Sequence, residues 1–93
     1  MKIENRIAQG LLKIGAVKID VEKPFTWTSG LKSPIYCDNR KTLSEVDLRT
    51  FIQDSFVSYI KENHPDVEAI GGIATAGIAQ GALIAQQLGL PYF

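Results

Sequence analysis

Residues 67 to 93, VEAIGGIATAGIAQGALIAQQLGLPYF, leave this chain few folds to choose from. VEAIGGIA is an apolar run of strand type, TAGIAQGALIAQQLG is an Ala-rich helical run, and LPYF opens a second apolar run. That order predicts a βαβ unit, and hence an α/β fold with a parallel sheet. A loop of small residues, Gly71 to Gly77, separates the first strand from the helix. Small residues let the backbone approach a ligand closely, and amides at a helix N-terminus form an anion cradle. One reading is therefore a phosphate or diphosphate pocket at the C-terminal edge of a parallel strand, with Thr75 adding a hydroxyl donor. The other is that small residues only allow a helix to pack tightly on the sheet. The loop is not a P-loop, since no Gly-Lys-Ser/Thr comes after it, and it lacks the G-x-G-x-x-G spacing of a dinucleotide site.

Upstream, Ile3, Ile7, Leu11 and Ile14 recur at helical spacing with polar residues between them, which predicts an amphipathic helix stopped at Gly15. AVKID alternates like a short strand, and EKP breaks it. Two β-type runs come next, FTWT and PIYC, joined as a hairpin by SGLKS, with Gly30 free to take positive φ. Pro34 opens the second run, where a missing N–H does least harm. Ser44 with Glu45 and Asp47 after it reads as the N-cap of a helix that runs to about Asn63, with Phe51, Phe56 and Tyr59 in the core.

The segment Thr26 to Arg40 gathers hydroxyls (Thr26, Thr28, Ser29, Ser33), cations (Lys32, Arg40) and aromatic surfaces (Trp27, Tyr36) within a short reach. Strand alternation places Ile35 and Cys37 on one face, Tyr36 and Asp38 on the other. Such a set suits a planar anion, stacked on an aromatic ring and paired to a fixed cation. A hairpin with an ordinary charged rim has the same composition.

Ten basic residues balance ten acidic ones, and neither sign forms a block. Nucleic-acid binding and anionic-membrane binding both rest on clustered Lys and Arg, so neither is expected as the main activity. The apolar runs are too short for a membrane span, the N-terminus lacks a signal peptide's apolar core, and a cytoplasmic location is expected. Cys37 is the only cysteine and His64 the only histidine, which gives neither an internal disulfide nor a metal cluster. Cys37 reads as a small strand residue and His64 as a solvated helix terminus.

The run SG-x-KSPIYCDNR with the KTLS after it resembles the hood and substrate-binding segment of orotate phosphoribosyltransferases. GGIATAGI-x-x-GALIA resembles the loop of that family that holds the diphosphate of phosphoribosyl pyrophosphate. The two stand in the family's order and at about its spacing, after its N-terminal helix. The resemblance implies the N-terminal part of a type I phosphoribosyltransferase fold: N-terminal helix and hood hairpin, then the first βαβ unit of a parallel sheet. One truncated domain is expected over residues 1–93, with helix and hood in 1–44 and the start of the core in 45–93.

The implied reaction transfers a 5-phosphoribosyl group from phosphoribosyl pyrophosphate to orotate, giving orotidine monophosphate and diphosphate in pyrimidine synthesis. By the same resemblance Tyr36 and Cys37 contact orotate, Thr75, Ala76 and Gly77 lie in the diphosphate loop, Mg²⁺ arrives mainly on phosphoribosyl pyrophosphate, and the protein is a homodimer. Some members carry lysines where Thr28 and Ala76 stand, so Lys32 and Arg40 are expected to supply the positive charge. Members of this kind have Pro-His at Ala79 and Gln80, and Tyr-Pro at Glu45 and Val46. The family's catalytic loop and 5-phosphate loop fall beyond Phe93, so no catalytic residue is assigned here and the 93-residue chain alone is expected to be inactive. The competing reading is a non-catalytic module that binds orotate or phosphate.

Overall fold

The structure, a computed structural model, describes residues 2–93. The chain forms two compact units, one within residues 1–45 and one from Val46 to Phe93.

The first unit begins with helix α1 (Ile3–Lys13). Its apolar stripe is only partly covered: Ile7, Leu11 and Ile14 are half-buried, and Ile3 is exposed. Gly15, at φ 77°, takes the left-handed conformation that ends the helix, as its position predicts. Four short strands come after it: β1 (Val17–Ile19), β2 (Phe25–Thr26), β3 (Lys32–Ser33) and β4 (Ile35–Cys37).

The expected hairpin forms with different partners. FTWT does not pair with PIYC; β2 pairs antiparallel with β3, setting Phe25 opposite Ser33 and Thr26 opposite Lys32. β4 pairs instead with β1, setting Val17 opposite Cys37, Lys18 opposite Tyr36 and Ile19 opposite Ile35. The turn decides this. Trp27 N–H donates to the Leu31 carbonyl and Gly30 N–H to the Trp27 carbonyl, each at 2.8 Å, with Gly30 at φ 87°. That is a three-residue loop closed by a left-handed glycine, and its register sends Lys32 and Ser33, not Tyr36, back along β2. Pro34 then separates β3 from β4. A 3₁₀ helix (Asn39–Ser44) closes the unit.

Ser44 is not the cap of the next helix. Its hydroxyl donates to the Lys41 carbonyl at 3.0 Å as the last residue of the 3₁₀ turn, and Glu45 stands between it and helix α2 (Val46–Asn63).

In the second unit α2 packs against helix α3 (Gly77–Leu88). Ile52, Val57, Ile84 and Ala85 are buried there. Phe56 and Tyr59, expected in the core, are 48% and 59% exposed, and Phe51 is half-buried. Apolar residues lie around most of α2, so one stripe facing α3 cannot cover them all. Gln53 locks the helix pair by donating to the Leu83 carbonyl (3.2 Å) and to Gln87 (2.7 Å), and Gln87 in turn donates to Asp54 (3.0 Å).

The parallel pairing predicted for the last third is present but short: a single bridge joins Ile70 and Tyr92. Ile70 N–H donates to Pro91, Phe93 N–H to Ile70 and Gly72 N–H to Phe93, at 3.0, 3.1 and 3.4 Å. With α3 between them, the two bridged segments form the expected βαβ connection.

Candidate functional site

The second unit's loop begins where Gly71 and Gly72 leave the parallel bridge. At Gly72 the lack of a side chain is a packing requirement, and at Gly71 it eases a close contact. A Cβ on Gly71 would lie 3.2 Å from the Phe93 ring, and one on Gly72 would collide with the Tyr92 hydroxyl and lie 2.6 Å from the Gly77 carbonyl. Gly77 itself has room, since its nearest neighbour would lie 3.8 Å from a Cβ. Tight packing thus accounts for Gly72. It does not account for the four residues between Gly72 and Gly77.

From Ile73 to Ala76 every residue is exposed, Ile73 at 86%. None of these four amides donates a backbone hydrogen bond among the described residues; the first N–H to do so is Gly77's, to the Ile73 carbonyl at 2.8 Å. Ala76, the N-cap of α3, offers no side-chain acceptor to the first turn. The Ala74–Thr75 peptide is cis. Thr75 accepts at its carbonyl from Ile78 N–H (3.3 Å), and its hydroxyl has no partner among the described residues. Free amides in sequence, ahead of an uncapped twelve-residue helix, form a donor-rich end with partial positive charge. Thr75 and Ala76, two of the three loop residues singled out in the sequence, belong to this stretch of amides without backbone acceptors, which begins at Ile73; Gly77, the third, spends its N–H on the Ile73 carbonyl.

The first unit carries the remaining candidates. Thr28 lies exposed in the turn before Gly30, and Lys32 is exposed on β3. Tyr36 is 39% exposed, its ring centroid 5.8 Å from that of Phe25, the β2 residue opposite Ser33. Cys37 is an exposed free thiol that donates to Asn39 Oδ1 at 3.2 Å. All three residues of β4 are exposed, so strand alternation buries neither face. Trp27 crosses this surface and donates from Nε1 to the Ile35 carbonyl at 2.9 Å.

Arg40 is placed differently from Lys32. Its Nε donates to Asp38 Oδ1 at 2.8 Å and its Nη2 to Asp38 Oδ2 at 3.2 Å, a two-pronged pair. The same Oδ1 accepts from Arg40's backbone N–H at 3.1 Å. The guanidinium's hydrogen bond holds the Asp38 carboxyl below its ordinary range and pushes Arg40 higher still. Sequence reasoning placed Asp38 on the Tyr36 face but missed its pairing with Arg40. The signal was an acid two places before the arginine, next to the 3₁₀ turn that brings the two together.

No protein-family model matches the chain. Orotate phosphoribosyltransferase of Streptococcus sanguinis is 54% identical over 92 residues, 99% of this chain and 44% of that protein. The Streptococcus pneumoniae enzyme of the same name matches to the same extent over the same lengths. A crystal structure of orotate phosphoribosyltransferase from Aeropyrum pernix superposes with a TM-score of 0.75 at 28% identity, over 92% of this chain and 50% of that one. Leishmania donovani UMP synthase, 22% identical with a TM-score of 0.73, shares the fold over 99% of this chain and 19% of its own. The chain thus spans a little under half the length of the curated relatives it matches. Its fold is the N-terminal part of the type I phosphoribosyltransferase fold.

Proposed function

We propose, from a sequence that matches orotate phosphoribosyltransferases along almost its whole length, that this chain supplies the orotate-contacting hood and the diphosphate cradle of such an enzyme. The observation that carries the reading is the run of four free, exposed amides from Ile73 to Ala76 ahead of α3. In the transfer, the bond between the anomeric carbon and the diphosphate breaks as orotate attacks that carbon. Negative charge grows on the departing diphosphate, and backbone amides without a partner in the loop are donors that can take it up. In the hood, Tyr36 supplies a ring face, Cys37 a thiol and strand backbone, and Thr28 and Lys32 stand on the turn and its returning strand.

Mg²⁺ belongs to this proposal as a companion of phosphoribosyl pyrophosphate. Among the described residues no three His, Cys, Asp or Glu side chains come together as a metal site. A homodimer and a cytoplasmic setting are proposed on the family resemblance. No helix among the described residues is long and apolar enough to cross a membrane.

Titration of the ¹⁵N-labelled chain with phosphoribosyl pyrophosphate and Mg²⁺ tests the reading. The expected result is shifts centred on the Ile73–Gly77 amides, absent in Ala76→Glu, whose carboxylate would repel the diphosphate. Orotate should move Tyr36 and Cys37. An unmoved loop would overturn the proposal. In a turnover assay the 93-residue chain by itself is expected to make no orotidine monophosphate.

A further inference from the structure

Tyr92 sits beneath the loop. Its backbone makes the parallel bridge to Ile70, and its hydroxyl donates to the Ile78 carbonyl, in the first turn of α3, at 2.7 Å. Two glycines make way for it. A Cβ on Gly72 would strike the Tyr92 hydroxyl, and one on Gly81 would lie 2.9 Å from Tyr92 Cε1 and 3.2 Å from the Gly72 Cα. One side chain thus touches the start of the loop, the first turn of the helix after it and the next turn beyond. A carbonyl has two lone pairs, so the Ile78 oxygen can take this hydroxyl in addition to a helical N–H.

We infer that Tyr92 is a positioning residue for the anion cradle: by tying the second parallel segment to the first turn of α3, it fixes the spacing between Gly72 and α3 across which the Ile73–Ala76 amides are strung. It touches no ligand itself. The inference rests on reading those amides as the diphosphate site, and inorganic diphosphate is the probe that separates the two claims.

The test compares diphosphate binding by the chain with that of Tyr92→Phe and Gly81→Ala, monitored at the amides and at the Ile78 carbonyl carbon. Tyr92→Phe keeps the ring and removes one hydrogen bond, so diphosphate affinity is expected to fall roughly three- to tenfold. The Ile73–Ala76 amides and the Ile78 carbonyl should shift in the unliganded variant, while the buried Ile84 and Ala85 amides stay in place. A general loss of packing would move all of them together, and would count against the inference. Gly81→Ala crowds Tyr92 without removing its hydroxyl, and should weaken diphosphate in the same way. If Tyr92→Phe fails to fold, Gly81→Ala decides, and failure of both to fold would overturn the inference by making Tyr92 a folding residue. Wild-type affinity in either folded variant overturns the inference and leaves the cradle standing. A wild-type chain that ignores diphosphate overturns both.

Discussion

From Val46 onward, Ile52, Val57, Ile84 and Ala85 are buried where α2 meets α3, whereas in the first 45 residues only Ala16 and Thr42 are buried among the described residues. The earlier unit holds its shape with hydrogen bonds. Ala16 donates to Leu11 (2.9 Å) and accepts from Asp38 (2.7 Å), Thr42 donates to the Asn39 carbonyl (2.7 Å), and Asp20 accepts from the amides of Glu22 and Lys23. Its aromatic and aliphatic side chains are left facing outward: Trp27, Leu31, Ile35 and Tyr36 are all at least 39% exposed. A segment built this way can present side chains to a ligand because they are not needed for its core. A segment built like α2 and α3 can hold backbone amides in place because its core is packed behind them.

The sharpest way to break that contrast is to truncate one isoleucine in each unit. Ile84→Ala removes a side chain that is 6% exposed and should cost about 2–3 kcal/mol of stability, the lower part of the usual range for buried isoleucine because the surrounding core is thin. Ile35→Ala removes one that is 47% exposed and should cost less than about 1 kcal/mol. Urea denaturation of both variants measures the difference. Equal losses would mean that the strand residues of the first unit form a core after all.

Legibility in the sequence divides along the same line. α3 was readable from its Ala-rich composition, though it starts at Gly77 and stops at Leu88 ahead of a left-handed Gly89 (φ 71°), and α2 was readable apart from its cap and its buried face. The strand pairing of the first unit was not, because strands of two and three residues carry almost no period. Their partners are set by one turn, and a glycine at the third loop position rather than the second moves every pairing. In the loop, the small residues suggested a cradle or tight packing. Close packing is seen at Gly72, which makes way for Tyr92, while the amides of Ile73 to Ala76 donate no backbone hydrogen bond among the described residues, which is what the cradle proposal rests on. No local pattern links Tyr92 to Gly72 and Gly81, since only the parallel crossover brings them together.

The two cations of the first unit sharpen the contrast further. The sequence offered Lys32 and Arg40 as equals, yet Arg40 is held by Asp38 and Lys32 has no ion pair among the described residues. If the hood receives an anionic ring, Lys32→Ala should weaken orotate roughly tenfold through loss of a charge-assisted hydrogen bond, and Arg40→Ala should do so by less than about threefold. Orotate titration of the two variants checks this. The reverse order would mean that Arg40 leaves Asp38 when ligand binds.

The smallest effect expected is that of the Asp38–Arg40 pair on stability, and its pH dependence distinguishes it from a packing contact. Arg40's hydrogen bond holds the folded-state pKa of Asp38 below the ordinary value of 3.8. The folded chain therefore binds that proton less readily than the unfolded chain. The pair's contribution is fully present above 3.8 and is lost as pH falls through the lower, folded-state value. Arg40 keeps its charge throughout, so the carboxylate alone sets the window. Asp38→Asn keeps an acceptor for the Arg40 amide and removes the charge, so its Tm should lie slightly below that of the parent at neutral pH. The two should converge in acid. Arg40's side chain is 58% exposed, so added salt should narrow the neutral-pH gap by screening. Calorimetry of the two proteins down the pH scale reads this directly. A gap that persists unchanged in acid would assign Asp38 a purely geometric role, capping the 3₁₀ turn through the Arg40 amide.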